Sequence, residues 1–327
     1  MSTTSNNSNQ TSRAYLACVP HVPLTSVQER KDNPDFWRAY DERVKEFRDF
    51  DPDLVIVFGG DHYDGMHLKL MPQFVVGQVA EALNDCGGYP GPLNIPLDIA
   101  GGAVNHLVEH EFDVAASFAM EVDHGFSNVL HWFLGELNAK PVLPIHINSL
   151  VDPRPTFRRC RLLGAEIGRF ARTLGKKVAF LGSGGLSHQT DFIFPQFHNA
   201  PNEDVKEYIV HGGARGGAIS RDKWMQDIRE GMDKLSGQLL DGSFHASWIN
   251  EAWDRRFLEI LASGNLERFD TWTDADVLKA AGYGGSEVRQ WIAAAAAHQA
   301  YDRSATIQVD YYSPDTTLAV GVAVVHA

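Results

Sequence analysis

Cysteine is scarce in this chain. Three occur in 327 residues, Cys18, Cys86 and Cys160, far apart and odd in number. Without a CxxC pair or an even set of half-cystines, a disulfide-stapled scaffold is excluded, and a reducing compartment, the cytoplasm, is expected. Basic charge is short as well: 29 Lys and Arg stand against 42 Asp and Glu, a formal net charge of −13. That balance argues against nucleic acid as a partner and against an anionic membrane surface, both of which call for a basic face. Long apolar runs are missing too. The longest uncharged apolar runs, around 291–297 and 318–325, fall well short of the ~20 residues that cross a bilayer. The first dozen residues are rich in Ser, Thr, Asn and Gln and lack the apolar stretch of a secretory signal; 1–12 reads as a flexible tail. No repeat and no Ser/Gly/Pro linker divides the remainder, so 13–327 is expected to form one domain.

With 44% hydrophobic residues, a sizeable core is available. Short unbroken apolar runs at 14–19, 54–58, 115–120, 141–147 and 177–181 predict strands. Between them lie helix-period patterns over 97–111, 126–136 and 155–174. Pro34 opens another helix, in which Phe36, Tyr40, Val44 and Phe47 recur at helical spacing. Strands that are apolar throughout and alternate with helices predict an α/β fold, a single domain with a central, largely buried sheet covered by helices on both faces. After 190 the rhythm changes. Residues 190–245 are polar, with paired glycines at 212–213 and 216–217 and one helix pattern near 220–236. Helices near 251–262 and 286–300 and strands near 305–312 and 317–325 close the chain.

Several chemistries lack their motifs. There is no HExxH. The turn Gly182-Ser183-Gly184-Gly185 has Ser187 where a dinucleotide fingerprint needs glycine, and neither Ser183 nor Ser187 sits in GxSxG. The histidines are better placed. Of fourteen, His62, His124 and His188 directly follow predicted strand ends, and His21 follows the first strand by two residues. In open α/β sheets ligands bind beyond the carboxyl ends of strands, so four imidazoles could converge on one crevice. By themselves they fit zinc, iron or acid–base work. The glycines read as a close backbone passage that carries His188.

Six segments together resemble the class III extradiol ring-cleavage dioxygenases. They are Pro20-His21-Val22-Pro23, Gly60-Asp61-His62, Val122-Asp123-His124-Gly125, Gly184-Gly185-Leu186-Ser187-His188-Gln189, Asn250-Glu251-Ala252-Trp253-Asp254-Arg255-Arg256-Phe257 and Gly285-Ser286-Glu287-Val288-Arg289-Gln290-Trp291. The resemblance runs in family order over about 14–300, is weakest over 190–245 and does not include the tail.

The resemblance implies a non-haem Fe(II) held by His21, His62 and Glu287. Two imidazoles and a carboxylate on one face of an octahedron leave positions for a chelating catechol and O2. Apart from the resemblance, Glu287 after Ser286 is an acidic residue suited to a helix start. His124 and His188 correspond to the family's two acid–base histidines; catechol must lose protons and later steps must return one. His188 is assigned to catechol deprotonation and His124 to proton donation. Asp61 and Asp123 would either fix imidazole tautomers or serve as turn residues. The implied substrate is a 3-substituted catechol such as one with a carboxyethyl arm, so a cationic or hydrogen-bonding anchor is expected. Arg215, Lys206 and Arg303 are candidates for it, with Phe126, Phe192, Phe194 and Trp248 as apolar walls. The expected partners are a catecholic small molecule and O2, within a homo-oligomer. Two readings from other classes are a binding scaffold without metal chemistry and a hydrolase using Ser183 or Ser187.

Overall fold

Four parallel strands form the middle of the molecule, and their sequences explain why they lie there. The computed structural model describes residues 13–214, 216–303 and 306–327. β1 (Ala14–Val19), β2 (Leu54–Gly59), β8 (Val142–Ile147) and β9 (Val178–Ser183) are buried at every residue, as expected of strands covered on both faces. They pair in parallel in the order β1-β9-β2-β8. The eight-stranded sheet is completed on one side by β11 (Val320–His326) and β10 (Gln308–Asp315), on the other by β3 (Phe74–Gly77) and β6 (Ala115–Ser117). A separate small sheet joins β5 (Gly91–Pro92), β4 (Ala80–Ala82) and β7 (Met120–Val122). The expected α/β architecture is therefore present, with antiparallel additions at both edges.

Alternate residues of each strand serve opposite faces. Leu16, Cys18, Ile56 and Phe58 join the core under α2 (Leu97–Glu109), α4 (Phe157–Thr173), α7 (Glu251–Ala262) and α9 (Val288–Tyr301). Tyr15, Ala17, Val55 and Val57 face α1 (Pro34–Phe50) and α3 (His124–Leu134). Helix α9 is buried from Val288 to His298 because it lies between the sheet and α4. Its run of alanines permits that close packing. A side chain at Gly164 or Gly168 of α4 would collide with the carbonyls of Ala293 and Ala297.

The sequence pattern misses some elements. The run at 115–120 is split: β6 is an exposed edge strand of the large sheet, and β7 belongs to the small one. The stretch after 190 holds α5 (Glu203–His211) as well as α6 (Arg221–Leu240), and α8 (Asp274–Ala281) precedes the last helix. Each has few buried apolar positions, hence little periodic signal. The predicted tail, 1–12, lies outside the described residues. Among the described residues no helix is long and apolar enough to cross a membrane.

Candidate active site

β1, β9 and β2 are neighbours, and the chain leaving each carboxyl end delivers a histidine. His21 follows β1, His62 follows β2, and His188 ends the loop after β9. His124 opens α3, just after β7 of the small sheet. Glu287 closes a 3-10 turn (Gly284–Glu287) that runs directly into α9. These five line one cavity.

The imidazoles are oriented individually. His21 Nδ1 lies 2.9 Å from Ser183 Oγ, and that hydroxyl donates to Gly125 O at 2.5 Å, so it accepts from His21. His62 Nδ1 donates to Asp123 Oδ2 at 2.9 Å. His188 Nδ1 donates to Leu186 O at 2.8 Å. With every Nδ1 a donor, each neutral ring turns an Nε2 lone pair outward. All three lone pairs face one atom: Glu287 Oε1 lies 3.6 Å from His21 Nε2, 3.4 Å from His62 Nε2 and 3.7 Å from His188 Nε2. The other oxygen of Glu287 accepts the Gly185 N–H at 2.7 Å.

The glycine turn explains that contact. Gly184 has φ of 152°, and a Cβ there would press on Glu287 Cβ at 2.8 Å. The backbone passage expected at Gly184-Gly185 thus also holds a site carboxylate. Neither serine of this loop is free as a nucleophile. Ser183 is engaged as above, and Ser187 donates to Asp254 Oδ2 and accepts the Asn250 N–H, both at 2.8 Å. The hydrolase reading has no geometric basis.

Electrostatics follow from buried charge. Burial opposes the charged form of His62, but the Asp123 and Glu287 carboxylates outweigh it and hold its pKa well above the usual value. Burial opposes ionisation of Glu287, yet His21 and His188 keep its carboxyl well below the usual range. For His21 burial wins, and the pKa falls. His188 is raised, Glu287 overcoming burial.

His124 stacks on His62 with ring centroids 4.4 Å apart. Its Nδ1 and its backbone N–H both bond to Asp85 Oδ2. Sequence reasoning missed Asp85, which follows β4 in a segment without a periodic signal. The two aspartates that precede histidines prove unequal. Asp61 is a turn residue whose carboxylate accepts the N–H groups of Tyr63, Gly65 and Met66. Asp123 orients an imidazole, that of His62 rather than its neighbour His124, and also caps α3 through Gly125 N–H. Asp254, inside the Asn250–Phe257 motif, is buried and anchors the Ser187 backbone at 2.8 Å beside His188.

Of the expected walls, Phe192, Phe194 and Trp248 line the cavity; Phe126 is packed in the core behind Gly59. Of the expected anchors, Lys206 does not line it and pairs with Glu203. Arg303 is an exposed residue after α9 and Arg215 lies outside the described residues.

Ligand-capable atoms of His21, His62 and His124 lie within 4.8 Å of one another. Lone pairs gathered on a buried carboxylate oxygen repel unless protons or a cation stand between them. Imidazole and carboxylate together are a donor set for divalent transition metals. The residues therefore fit a metal ion.

Such a centre beyond the strand ends of an α/β sheet belongs to a metalloenzyme class. The chain belongs to the family described as the catalytic LigB subunit of aromatic ring-opening dioxygenase, which it matches over residues 15–325. It is an extradiol dioxygenase, an enzyme that opens catechol rings with O2 in aromatic degradation. Similar curated proteins bear the name 2,3-dihydroxyphenylpropionate/2,3-dihydroxicinnamic acid 1,2-dioxygenase. One from Rhodococcus sp is 39% identical over 87% of this chain and 89% of its own length. One from Rhodococcus jostii is 38% identical with the same coverage. One from Mycolicibacterium gilvum is 36% identical over 96% of this chain and 97% of its own.

Proposed function

We propose that the centre holds Fe(II) through His21, His62 and Glu287, and that His124 and His188 move protons while a 3-substituted catechol is opened beside its diol. The relatives' names supply the substrate type, a 2,3-dihydroxyphenyl ring with a side chain. The observation that carries the reading is the convergence of imidazole Nε2 atoms on Glu287 Oε1 at 3.4–3.7 Å, with every Nδ1 committed as a donor elsewhere. When bound, the iron supplies a Lewis-acidic, redox-active meeting point for catechol and O2.

The chain's own residues divide the proton work. His188 has the most exposed of these rings, 15% for its side chain, and its Nδ1 faces a neutral carbonyl. To its Nε2, in the cavity, we assign the uptake of a proton from a catechol hydroxyl and its exchange with solvent. His124 is oriented by the Asp85 carboxylate, which bonds both its Nδ1 and its backbone N–H, and we assign to it the donation of a proton to the opening ring. Asp123 and Ser183 keep His62 and His21 in the tautomers that present Nε2. The cavity's apolar walls exclude water from the reacting diol. Scarce cysteine and an acidic surface support a cytoplasmic enzyme, and we place it there as a homo-oligomer.

Anaerobic reconstitution with Fe(II), followed by catechol and air, tests this directly. A yellow ring-fission product is expected. Its absence with every 3-substituted catechol, at full iron occupancy, overturns the proposal.

A further inference from the structure

We propose that the substrate's arm, the substituent beside the diol, is an uncharged hydrocarbon, alkyl or aryl, and not a carboxylate-ended chain. This rests on the ring-cleavage reading above and specifies the substrate for the same cavity.

Away from the imidazoles, the cavity walls are Leu24, Phe192, Met232, Leu235, Trp248 and Leu318. None of the described residues that line it is a lysine or arginine. Two neutral polar side chains are present. Gln189 has its Oε1 engaged, accepting the Tyr283 N–H at 3.1 Å, and keeps a neutral amide donor. The Thr190 hydroxyl is buried and has no partner, so one neutral hydrogen bond is on offer to a bound molecule.

Beyond this wall a second groove begins, sharing Gln189, Phe192, Ile193, Met232, Leu235 and Trp248 with the first. An arm leaving the inner cavity in this direction passes between the same apolar groups. The groove also carries Asp191, Asp227 and Lys234, with Asp227 paired to Lys223, so its charge is balanced. Lys234 lies in that outer groove and does not line the inner cavity, while other cations nearby are committed elsewhere. Arg221 pairs with Glu121 and the carbonyl of Asp64, and Arg229 donates to the carbonyls of Asn84 and Asp85. Lys223 pairs with Asp227, and Lys206 stands over Phe197.

A carboxylate drawn from water into this wall loses hydration that one hydroxyl and one amide, both neutral, do not replace. A hydrocarbon arm gains from the same transfer, by about fourfold in affinity for each buried methylene. The net charge of −13 adds repulsion of an anionic substrate at a distance. The 190–245 stretch, where the family resemblance is weakest, supplies much of this wall, so a different arm from that of the named relatives is consistent with where the sequence departs.

The test is a pair of catechols with three-carbon arms, one ending in a methyl group and the other in a carboxylate. Dissociation constants of 3-propylcatechol and 3-(2,3-dihydroxyphenyl)propionate are measured by anaerobic calorimetry on the Fe(II)-loaded protein, and kcat/KM is measured for both in air. We expect propylcatechol to bind at least about tenfold more tightly, the preference appearing in KM, and 3-methyl-, ethyl- and propylcatechol to tighten in that order. Leu235→Arg should shift the ratio toward the propionate by about tenfold. Equal or tighter binding of the propionate by the parent protein overturns the proposal, as does a ratio unmoved in folded Leu235→Arg. If neither compound is cleaved, the ring-cleavage reading fails, while the binding order still decides the nature of the arm.

Discussion

One oxygen of Asp123, Oδ2, accepts two hydrogen bonds from His62, at 2.7 Å from its backbone N–H and at 2.9 Å from ring Nδ1. The carboxylate thereby fixes both where His62 enters the site and which nitrogen it presents. Its second oxygen accepts Gly125 N–H at 2.8 Å, so both oxygens face donors. Asparagine cannot reproduce that pattern, because its amide nitrogen would meet an N–H. Asp123→Asn should lower metal affinity about 10- to 100-fold, read as a shift in competition with a chromophoric chelator. Unchanged affinity would show that His62 orientation does not depend on this contact.

Replacing His21, His62 or Glu287 by Ala should reduce bound iron as well as turnover, measured by metal analysis after gel filtration. Metal binding must displace protons from imidazoles held near a carboxylate, so affinity should fall as pH is lowered. Should Glu287→Ala keep stoichiometric iron, a different carboxylate is the ligand. Glu251 is ruled out as that substitute, being on the surface of α7 and paired with Arg255.

His124→Ala and His188→Ala should keep their iron and lose ring cleavage by roughly 10²–10⁴-fold. Alkaline pH should relieve the His188 variant, because the diol then ionises unaided, and leave the His124 variant slow. Asp85 does not line the cavity, so Asp85→Asn should reproduce part of the His124 defect in kcat with little change in KM. Rescue by alkali in the His124 variant rather than the other would exchange the two roles.

Gly164→Ala should destabilise the fold by about 1–3 kcal/mol or more, since the added methyl meets the Ala293 carbonyl across the α4–α9 interface. Denaturant unfolding measures it. A midpoint equal to the parent's would mean that α4 can move away from α9 without cost.

Acid should unfold the protein partly through two buried histidines. Burial pushes His146 and His298 down to about 4, below the 6.5 of an unfolded chain. Above pH 6.5 both are neutral in either state and their full contribution is present. As pH falls from 6.5 toward 4, the unfolded chain takes up protons that the folded one refuses. Stability then drops by up to about 1.4 kcal/mol per pH unit for each residue. His146→Gln should flatten that slope relative to the parent in denaturant titrations at several pH values, and an unaltered slope would clear it of the role.

Much of this protein is legible along the chain. Strands β1, β2, β8 and β9 read as unbroken apolar runs because a doubly covered sheet requires them. The helices that pack on them read as 3.6-residue periods. His21, His62 and His188 stand out because each lies just past such a run, where an α/β sheet presents its ligands, and the Gly184-Gly185 passage reads as a place where backbone must come close. All of these are local signals, carried by periodicity and by residue types at element ends. What the tertiary structure decided are pairings between residues far apart in sequence. Asp123 serves His62, 61 residues away, in preference to its neighbour, and Asp85 serves His124 across 39. Glu287 reaches Gly185 across 102 residues. The cavity wall likewise combines Leu24, Trp248 and Leu318 with Met232 and Leu235 of α6, segments that share no motif. A hydrogen bond or an apolar wall depends on positions in space, and packing of the sheet and helices alone brings those side chains together.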